Sequence, residues 1–193
     1  MKHTETRNKP GSTAHKLTPS PFVNKLASKI ARAAAGVPIL DVASGSGRNA
    51  IVFVNLGCEV ICVDISLTQL EAQLSGSHTP EFSSRSSLKK LDLVNDPWPF
   101  GSATVGAIIV VDFLLPTLFP HFECSLFPGG YLLIETVSGR GGNYLQLPAA
   151  GTVKSALQHA FAFDIYEERK VGPVDSNAVA VKLLARRLSD PQT

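Results

Sequence analysis

Few residues in this chain are of the kinds that build metal centres or disulfide frameworks. Its 193 residues include one methionine, one tryptophan and three cysteines, and the cysteines are odd in number and lack Cys-x-x-Cys spacing. Such cysteines are typical of small, reduced core residues in an intracellular protein. The histidines outside the N-terminal segment lack the spacing of metal ligands: His78, His121 and His159. The sequence therefore predicts neither a disulfide framework nor a metal site.

Strong charge and long apolar runs are lacking as well. The net charge is +2 with a pI near 8.5, and lysine and arginine form no dense stripe, so the composition predicts no nucleic-acid-binding surface. No apolar run is long enough to span a bilayer, and the first residues contain no apolar signal-peptide core. We expect a cytoplasmic protein without membrane contact, and the pattern indicates no particular oligomeric state.

Residues 1–18 are polar and basic and lack the apolar periodicity that could offset the entropy of ordering them. We expect a disordered tail there, with an organelle transit peptide or a lid that orders on ligand binding as alternatives. With 44% hydrophobic residues in the whole sequence, the remainder is long enough for one domain with a substantial core. We assign this domain to residues 19–188 and a short second tail to residues 189–193.

Helical and strand patterns alternate along this domain. Ser20 and Pro21 indicate the start of a helix that ends at Gly36, and the serine-rich stretch 75–87 indicates a loop. The strand–helix repeat implies a parallel sheet with right-handed crossovers, and the short link between the last two strands favours an antiparallel pair. The predicted strands are 37–42, 59–63, 88–93, 107–111, 131–135, 161–168 and 178–185, and the later predicted helices are 48–56, 66–74, 118–126 and 152–159.

The glycine-rich turn after the first strand is the most informative motif. From Ile39 the chain reads Ile-Leu-Asp-Val-Ala-Ser-Gly-Ser-Gly-Arg-Asn-Ala, an apolar strand that leads through a glycine turn into a helix. Glycine allows the backbone to turn sharply and to approach a ligand closely. The spacing of Gly45, Gly47 and Ala50 fits the dinucleotide pattern G-x-G-x-x-G/A. Asp41 departs from it, because a dinucleotide-binding strand normally stays apolar up to the turn; a helix cap or a loop carboxylate is the alternative role.

The segment Asp41-x-x-x-Gly45-x-Gly47 resembles the first motif of the class I S-adenosylmethionine-dependent methyltransferases, and the resemblance covers residues 19–187. Asp64 matches the carboxylate that binds the ribose hydroxyls in this family, a device that dinucleotide enzymes share. Asp92 matches a carboxylate beside the adenine. Two further segments are similar to family sequences, Asp96-Pro97-Trp98-Pro99-Phe100 and Leu126-Phe127-Pro128-Gly129-Gly130-Tyr131-Leu132-Leu133-Ile134-Glu135-Thr136.

The resemblance implies a fold and a cofactor. The fold is an α/β, Rossmann-like, seven-stranded and mostly parallel sheet, with helices on both faces and an antiparallel C-terminal hairpin. The cofactor is S-adenosylmethionine, whose amino-acid end would lie between the acidic residue and the glycine turn. These are expectations for the structure to test.

Within the family, the sequence is most similar to small stand-alone bacterial methyltransferases of the tellurite-resistance type. Pro19-Ser20-Pro21-Phe22-Val23 is similar to their P-S-P-W-V, and Ser44-Gly45-Ser46-Gly47-Arg48-Asn49-Ala50 to their C-G-S-G-R-N-A. After the fourth strand those relatives tend to read N-Y-L-H-R-P, where this chain has Asp112-Phe113-Leu114-Leu115-Pro116-Thr117. Their longer basic loop after the fifth strand is short here, at residues 139–144. Both departures lie where a substrate would enter, so the resemblance implies the cofactor site and leaves the acceptor open.

The resemblance, together with the position of each residue at a strand end or in the first helix, implies individual roles. Phe22 and Phe113 would contact the substrate, Phe22 from a helix that covers the active site, with plain packing on the sheet as the alternative. Asp112 is the candidate catalytic residue, which would orient or deprotonate the acceptor; the alternative is a strand-end residue bonded to nearby backbone. The cofactor would contact Asp41, Ala43, Gly45, Gly47, Arg48, Asn49, Asp64, Ile65, Asp92, Leu93 and Val111.

Three functions remain compatible with these residues. The favoured one is methyl transfer from S-adenosylmethionine to a small-molecule substrate. A non-catalytic relative that retains the cofactor pocket and acts through a protein partner is the second, because the substrate segments are altered. A nicotinamide-dependent oxidoreductase is the third, although the sequence has no Tyr-x-x-x-Lys or similar hydride-transfer pattern.

Overall fold

A computed structural model describes residues 18–76, 80–137 and 147–189. Residues 1–17 of the predicted tail at 1–18, the whole short segment at 139–144 and residues 190–193 lie outside the described residues. The helices are α1 Pro21–Ala34, α2 Ala50–Val54, α3 Thr68–Gly76, α4 Pro80–Arg85, α5 Phe119–Ser125 and α6 Thr152–Leu157. The strands are β1 Ile39–Val42, β2 Val60–Asp64, β3 Ser86–Lys90, β4 Val105–Val111, β5 Leu126–Glu135, β6 Phe161–Lys170 and β7 Val179–Arg187.

The strands form one seven-stranded sheet in the order β3-β2-β1-β4-β5-β7-β6. The first five strands in this order are parallel, and β7 is antiparallel to both β5 and β6. Every residue of β4 is buried, as expected for a central strand that is covered on both faces. The predicted mostly parallel sheet with an antiparallel C-terminal hairpin is confirmed.

Side chains from alternate strand positions build two cores, one on each face of the sheet. On one face, Ile109 and Leu133 pack in a cluster with residues of α1 and α2. On the other, Ile108 and Leu132 pack with residues of α5 and α6. The helices therefore cover both faces, as the resemblance implies.

Helix α1 begins and ends as its sequence predicts. The Ser20 hydroxyl accepts hydrogen bonds from the backbone N–H groups of Phe22 and Val23, and Pro21 occupies the first turn. Phe22, Leu26 and Ile30 recur at helical spacing and are buried against the sheet. Ala35 ends the helix in the left-handed region, directly before Gly36.

Two expectations for the middle of the chain are wrong. Residues 80–87 of the predicted loop at 75–87 are not a loop, because α4 and the first residues of β3 occupy them. Phe82 organises this helix: it is 4% exposed and belongs to the core on the α1 face. Strand β3 ends at Lys90, before Asp92, because both oxygens of the Asp92 carboxylate accept hydrogen bonds from the following turn.

Two further expectations also differ from the structure. Strand β5 begins at Leu126, earlier than expected, and passes through Pro128 and Gly130 with a shift of register against β4. The cysteines are not all core residues, because Cys124 is exposed.

Candidate functional site

The carboxyl ends of β1, β2 and β4 meet at one edge of the sheet, where open parallel sheets bind ligands. The backbone N–H of Gly45 donates to Asp64 Oδ2 over 2.8 Å, and that of Ser44 donates to the Val63 carbonyl over 3.0 Å. These bonds hold the glycine turn against the end of β2. Within the turn, Ala43, Gly45 and Gly47 adopt positive φ angles of 54°, 55° and 73°.

The two glycines of the turn have different surroundings. A Cβ atom at Gly45 would meet nothing within 4 Å among the described residues, so Gly45 faces open space at the sheet edge. A Cβ atom at Gly47 would overlap Leu70 Cδ1 and would lie 3.4 Å from Phe82 Cζ. Gly45 therefore leaves room for a ligand, whereas Gly47 lets α3 and α4 pack on the turn. The sequence motif alone does not separate these two roles.

Among the described residues, Asp41 and Ser44 each have a buried side-chain oxygen without a hydrogen-bond partner. Asp41 is 2% exposed and Ser44 is 6% exposed. Asp41 Oδ2 and Ser44 Oγ have no hydrogen-bond partner among the described residues. Burial raises the pKa of Asp41 to about 7, although the Arg48 charge and a hydrogen bond from the Ala50 backbone oppose this shift. Unpaired buried polar groups are costly, and a bound ligand, ion or water molecule would supply the missing partners.

Arg48 joins the glycine turn to the end of β4. Its Nη2 atom lies 2.8 Å from Asp112 Oδ2, and its Nη1 atom donates to the Thr18 carbonyl over 3.2 Å. Asp112 has a φ of 57°, and its N–H donates to the Glu135 carbonyl over 2.8 Å. The predicted catalytic carboxylate is thus oriented by a guanidinium.

The expected ribose and adenine residues lie together on the β2 and β3 side of the turn. Asp64 Oδ1 accepts a hydrogen bond from the Ser66 N–H over 3.0 Å, so both carboxylate oxygens point along the turn. Ile65, which directly follows β2, is 59% exposed. Asp92 and Leu93 follow β3 and are half-buried. Hydrogen bonds from Asn95 and from the Val94 backbone lower the pKa of Asp92, so its carboxylate is engaged in its own turn.

Asn49 belongs to a buried polar network that the sequence analysis missed. Asn49 Oδ1 accepts a hydrogen bond from the Ser20 N–H over 3.0 Å, and the Ser20 hydroxyl donates to Glu135 Oε2. Lys182 Nζ lies 3.5 Å from Glu135 Oε1. This network fixes the start of α1 between the glycine turn and the end of β5. The Ser-Pro pair and the glutamate stood in the matched segments, but their contact spans 115 residues and no local pattern predicts it.

The expected substrate residues lie on opposite faces of the sheet. Phe22 is 8% exposed and packs on the α1 face, with Lys182 Nζ 5.5 Å from the centre of its ring. Phe113 follows Asp112, is half-buried and packs against the core of the other face. Val111 is 6% exposed, at the end of β4. The structure thus brings Val111 and Asp112 to the edge with the glycine turn, and turns the Phe22 side chain toward the core.

A cavity lies at the opposite edge of the sheet from the glycine turn. It has a volume of about 560 Å³, and Arg32, Glu59 and Arg85 are among the residues that line it. Because the buried unpaired groups and the glycine turn lie at the carboxyl edge, we place the site there.

Among the described residues, no group of histidine, cysteine and acidic side chains could hold a metal ion. In the same residues no helix has the length and apolar character to cross a bilayer.

Comparisons with known proteins show the fold. No family model and no curated protein matches the chain. The tRNA (m1A58) methyltransferase TrmI from Aquifex aeolicus has a TM-score of 0.59 and 14% identity over 88% of this chain and 70% of its own. A 1,6-didemethyltoxoflavin-N1-methyltransferase from Burkholderia thailandensis, solved with S-adenosylhomocysteine, has a TM-score of 0.59 and 15% sequence identity. The match covers 88% of this chain and 80% of that protein. The [4+2]-cyclase SpnF has a TM-score of 0.63 and 16% sequence identity, and the match covers 86% of this chain and 81% of that protein. The chain therefore has the Rossmann-like fold of these proteins.

Proposed function

We propose that this chain binds S-adenosylmethionine and transfers its methyl group to a small molecule. The observation that carries the proposal is the pair of buried, unpaired atoms Asp41 Oδ2 and Ser44 Oγ beside the glycine turn. In this turn the Gly45 N–H is bound by Asp64, and the space next to Gly45 is open. A ligand with a cationic, hydrogen-bonding end would pair with the Asp41 carboxylate. The solved neighbour with bound S-adenosylhomocysteine supports this choice of cofactor.

The residues present fit this cofactor. Asp41, Ser44 and Gly45 would hold its amino-acid end, Asp64 its ribose, and Ile65 would provide apolar surface for its base. Ala43, Gly47 and Asn49 shape the turn itself through positive φ angles and a bond to Ser20. Arg48 and Val111 lie beside it, while Asp92 and Leu93 border the base side.

The sheet order opposes the oxidoreductase alternative. Dinucleotide-binding domains have the parallel order 3-2-1-4-5-6. In this chain an antiparallel β7 lies between β5 and β6, and a carboxylate is buried at the end of β1. Both features favour the methyltransferase proposal over the nicotinamide one.

Alignment is the main catalytic task in this proposal. S-adenosylmethionine supplies an already activated methyl group for in-line displacement, and alignment of reactants can contribute roughly 7–11 kcal/mol. Asp112 would orient the acceptor, because its carboxylate is 35% exposed at the end of β4 and is held by Arg48. Arg48 would keep that carboxylate in place through its contact with the Thr18 carbonyl.

Calorimetry with S-adenosylhomocysteine and with NAD tests the cofactor. We expect S-adenosylhomocysteine to bind and Asp64→Ala to weaken it about ten- to a hundredfold, since a hydrogen bond to a charged group contributes roughly 1.5–3 kcal/mol. Asp175→Ala, at an exposed carboxylate far along the chain, is the matched control and should bind normally. Binding of NAD in preference to S-adenosylhomocysteine would refute the proposal.

Asp112→Asn tests the chemistry. The acceptor is first found by screening small thiols, amines, hydroxyl compounds and oxyanions, with tRNA as a comparison, for release of S-adenosylhomocysteine. We then expect the variant to turn over at least tenfold more slowly, with cofactor affinity within about threefold, because the orienting carboxylate is lost and the glycine turn is not. An unchanged rate would remove Asp112 from the active site.

A cofactor-binding protein without methyl transfer is the second candidate. It is supported by the likeness to SpnF, which is a [4+2]-cyclase, and by the altered segment after β4. In that case S-adenosylhomocysteine should bind while no acceptor of the panel, tRNA included, releases it from S-adenosylmethionine. The same screen therefore separates the two candidates.

We also propose that this chain is a member of the tellurite-resistance-type subfamily, that it is located in the cytoplasm, and that residues 19–188 form its catalytic domain. The subfamily proposal rests on the P-S-P-F-V and S-G-S-G-R-N-A segments. The oxyanions of the acceptor panel test it, because such a relative should release S-adenosylhomocysteine with them. Cell fractionation tests the location, and cofactor binding by residues 19–188 alone tests the domain.

A further inference from the structure

A groove with charged walls lies beside the proposed methyl-transfer site. It has a volume of about 400 Å³, and its lining includes Glu135, Lys182, Glu167 and Arg169, with Pro21 and Val137 as apolar surface. Leu133 and Leu184 belong to the core on the α1 face, and Ile165 packs against it. Glu135, Lys182 and Glu167 stand two residues from them on their strands. The groove is therefore on the face of the sheet that carries α1.

The groove begins one strand away from Asp112. The Asp112 N–H donates to the Glu135 carbonyl over 2.8 Å, so the ends of β4 and β5 are adjacent. Neighbouring strands lie roughly 4.8 Å apart, which places β7 about 10 Å and β6 about 14 Å from β4. An acceptor with its reacting atom at Asp112 can therefore extend its far end along this groove.

The charges of the groove alternate in sign. The strand register places Lys182 opposite Glu135 on one side and opposite Glu167 on the other, and Arg169 lies in the next row. Glu135 is 2% exposed and is already bound by Ser20 and Lys182. In the described part of the chain, Glu167 and Arg169 are exposed and take part in none of the ion pairs. Two opposite charges, roughly 6.5 Å apart along one strand, thus remain open to a ligand.

This alternation selects the charge type of the ligand. A purely cationic ligand at Glu167 would meet Lys182 and Arg169, and a purely anionic one at Arg169 would meet Glu167. A molecule that carries an ammonium and a carboxylate on the same carbon places each group against its opposite. We propose that the groove binds the zwitterionic head of an α-amino-acid-type acceptor, with its ammonium toward Glu167 and its carboxylate on Arg169. The proposal rests on the methyltransferase function and names its substrate class.

Three probes with the same apolar body test this proposal. L-phenylalanine carries both charges, phenylalaninamide only the positive one and N-acetylphenylalanine only the negative one. We expect protein saturated with S-adenosylhomocysteine to bind L-phenylalanine at least tenfold more tightly than either analogue, by calorimetry or ligand-observed NMR. Arg169→Gln and Glu167→Gln should each weaken this binding at least fivefold. Lys170→Gln is the matched control, because Lys170 is exposed on the opposite face of β6 and should leave binding unchanged.

The outcomes separate this inference from the function on which it rests. If S-adenosylhomocysteine binds but L-phenylalanine binds no better than its analogues, or not at all, the groove carries ordinary surface charges and the inference is overturned. Equal loss in Lys170→Gln and Arg169→Gln would overturn it as well. If S-adenosylhomocysteine itself fails to bind, the methyltransferase proposal fails, and the charge preference of the groove is still measured on the free protein.

Discussion

The two halves of the carboxyl edge of the sheet differ in how they use buried polar groups. On the β1 and β2 side, Asp41 Oδ2 and Ser44 Oγ are buried without a partner among the described residues. On the β5, β7 and β6 side, the buried Glu135 binds Ser20 and Lys182, and Thr136 Oγ1 accepts a hydrogen bond from the Val181 N–H over 2.9 Å. We call the first the open half and the second the paired half.

The difference indicates that the open half binds a ligand through buried groups, whereas the paired half stabilises the fold. A buried polar group without a partner costs roughly 1–3 kcal/mol, and such a cost persists where a ligand later provides the partner. In the paired half the chain supplies both partners itself, and its unused charges lie at the surface of the groove. Substitutions of the buried carboxylates should therefore have opposite effects on stability in the two halves.

Asp41→Asn should give the largest effect in the open half. Burial raises the pKa of Asp41 to about 7, from an ordinary value of 3.8, so the folded chain retains a proton that the unfolded chain releases. The free energy of unfolding therefore falls as the pH rises from about 4 to about 7, and is level above that. The amide removes this cost, so the variant should be more stable at pH 8 by roughly 2–4 kcal/mol, measured by urea unfolding.

The pH dependence and the affinity for S-adenosylhomocysteine complete this test. The gain in stability should be roughly 2 kcal/mol smaller at pH 5, where the wild-type carboxyl is protonated. Affinity should fall at least tenfold at pH 8, because the buried negative charge is lost. Glu135→Gln is the control from the paired half, and it should lose stability at pH 8. If both variants lost stability alike, the contrast between the two halves would be refuted.

Gly47→Ala and Gly45→Ala should differ within the open half. At Gly47 a methyl group would overlap Leu70, and its φ of 73° disfavours any side chain, so we expect a loss of roughly 2–4 kcal/mol in the free energy of unfolding. At Gly45 the methyl group would enter open space, so the loss should stay near 1–2 kcal/mol, from the φ of 55° alone. Thermal unfolding and calorimetry on both variants measure this.

The binding results distinguish the two glycines further. Gly45→Ala should lose most of its affinity for S-adenosylhomocysteine while it remains folded, since its new methyl group faces the ligand. Equal stability of the two variants would show that the space at Gly47 adapts, and the packing role that we assign to Gly47 would be withdrawn.

The parts of the fold that sequence predicts are those with a strong local pattern. The apolar run of β4 and the Ser20-Pro21 start of α1 carry that pattern, and the structure confirms both. Helix α4 has no periodicity, because Phe82 is its one buried residue and the helix depends on contact with distant parts of the chain. The end of β3 was missed for a related reason, since hydrogen bonds to the Asp92 side chain replace the ladder.

The candidate site divides in the same way. Asp41, Gly45 and Asp64 lie within motifs, so the sequence places them at one edge once the strands are known. The motif does not show that Gly47 faces Leu70, or that Arg48 holds Asp112, because both contacts cross between elements. Glu135 and Ser20 stood in matched segments as isolated similarities. Only their contact in the fold makes them a pair.

Ser20→Ala should lose less stability than Gly47→Ala, and it tests the paired half. The hydroxyl accepts hydrogen bonds from the Phe22 and Val23 N–H groups and donates to the buried Glu135 carboxylate. Loss of a helix N-cap costs roughly 1 kcal/mol, and a hydrogen bond to a charged group roughly 1.5–3 kcal/mol, of which Lys182 would compensate part. We expect a loss of about 2 kcal/mol in the free energy of unfolding, by urea titration.

Ser20→Thr keeps the hydroxyl and should recover most of this stability. Because the hydroxyl caps α1 through the Phe22 and Val23 N–H groups, hydrogen exchange in residues 20–30 should also quicken in Ser20→Ala and not in Ser20→Thr. Unchanged stability and exchange would mean that the start of α1 is held by apolar packing, and the paired half would lose its central contact.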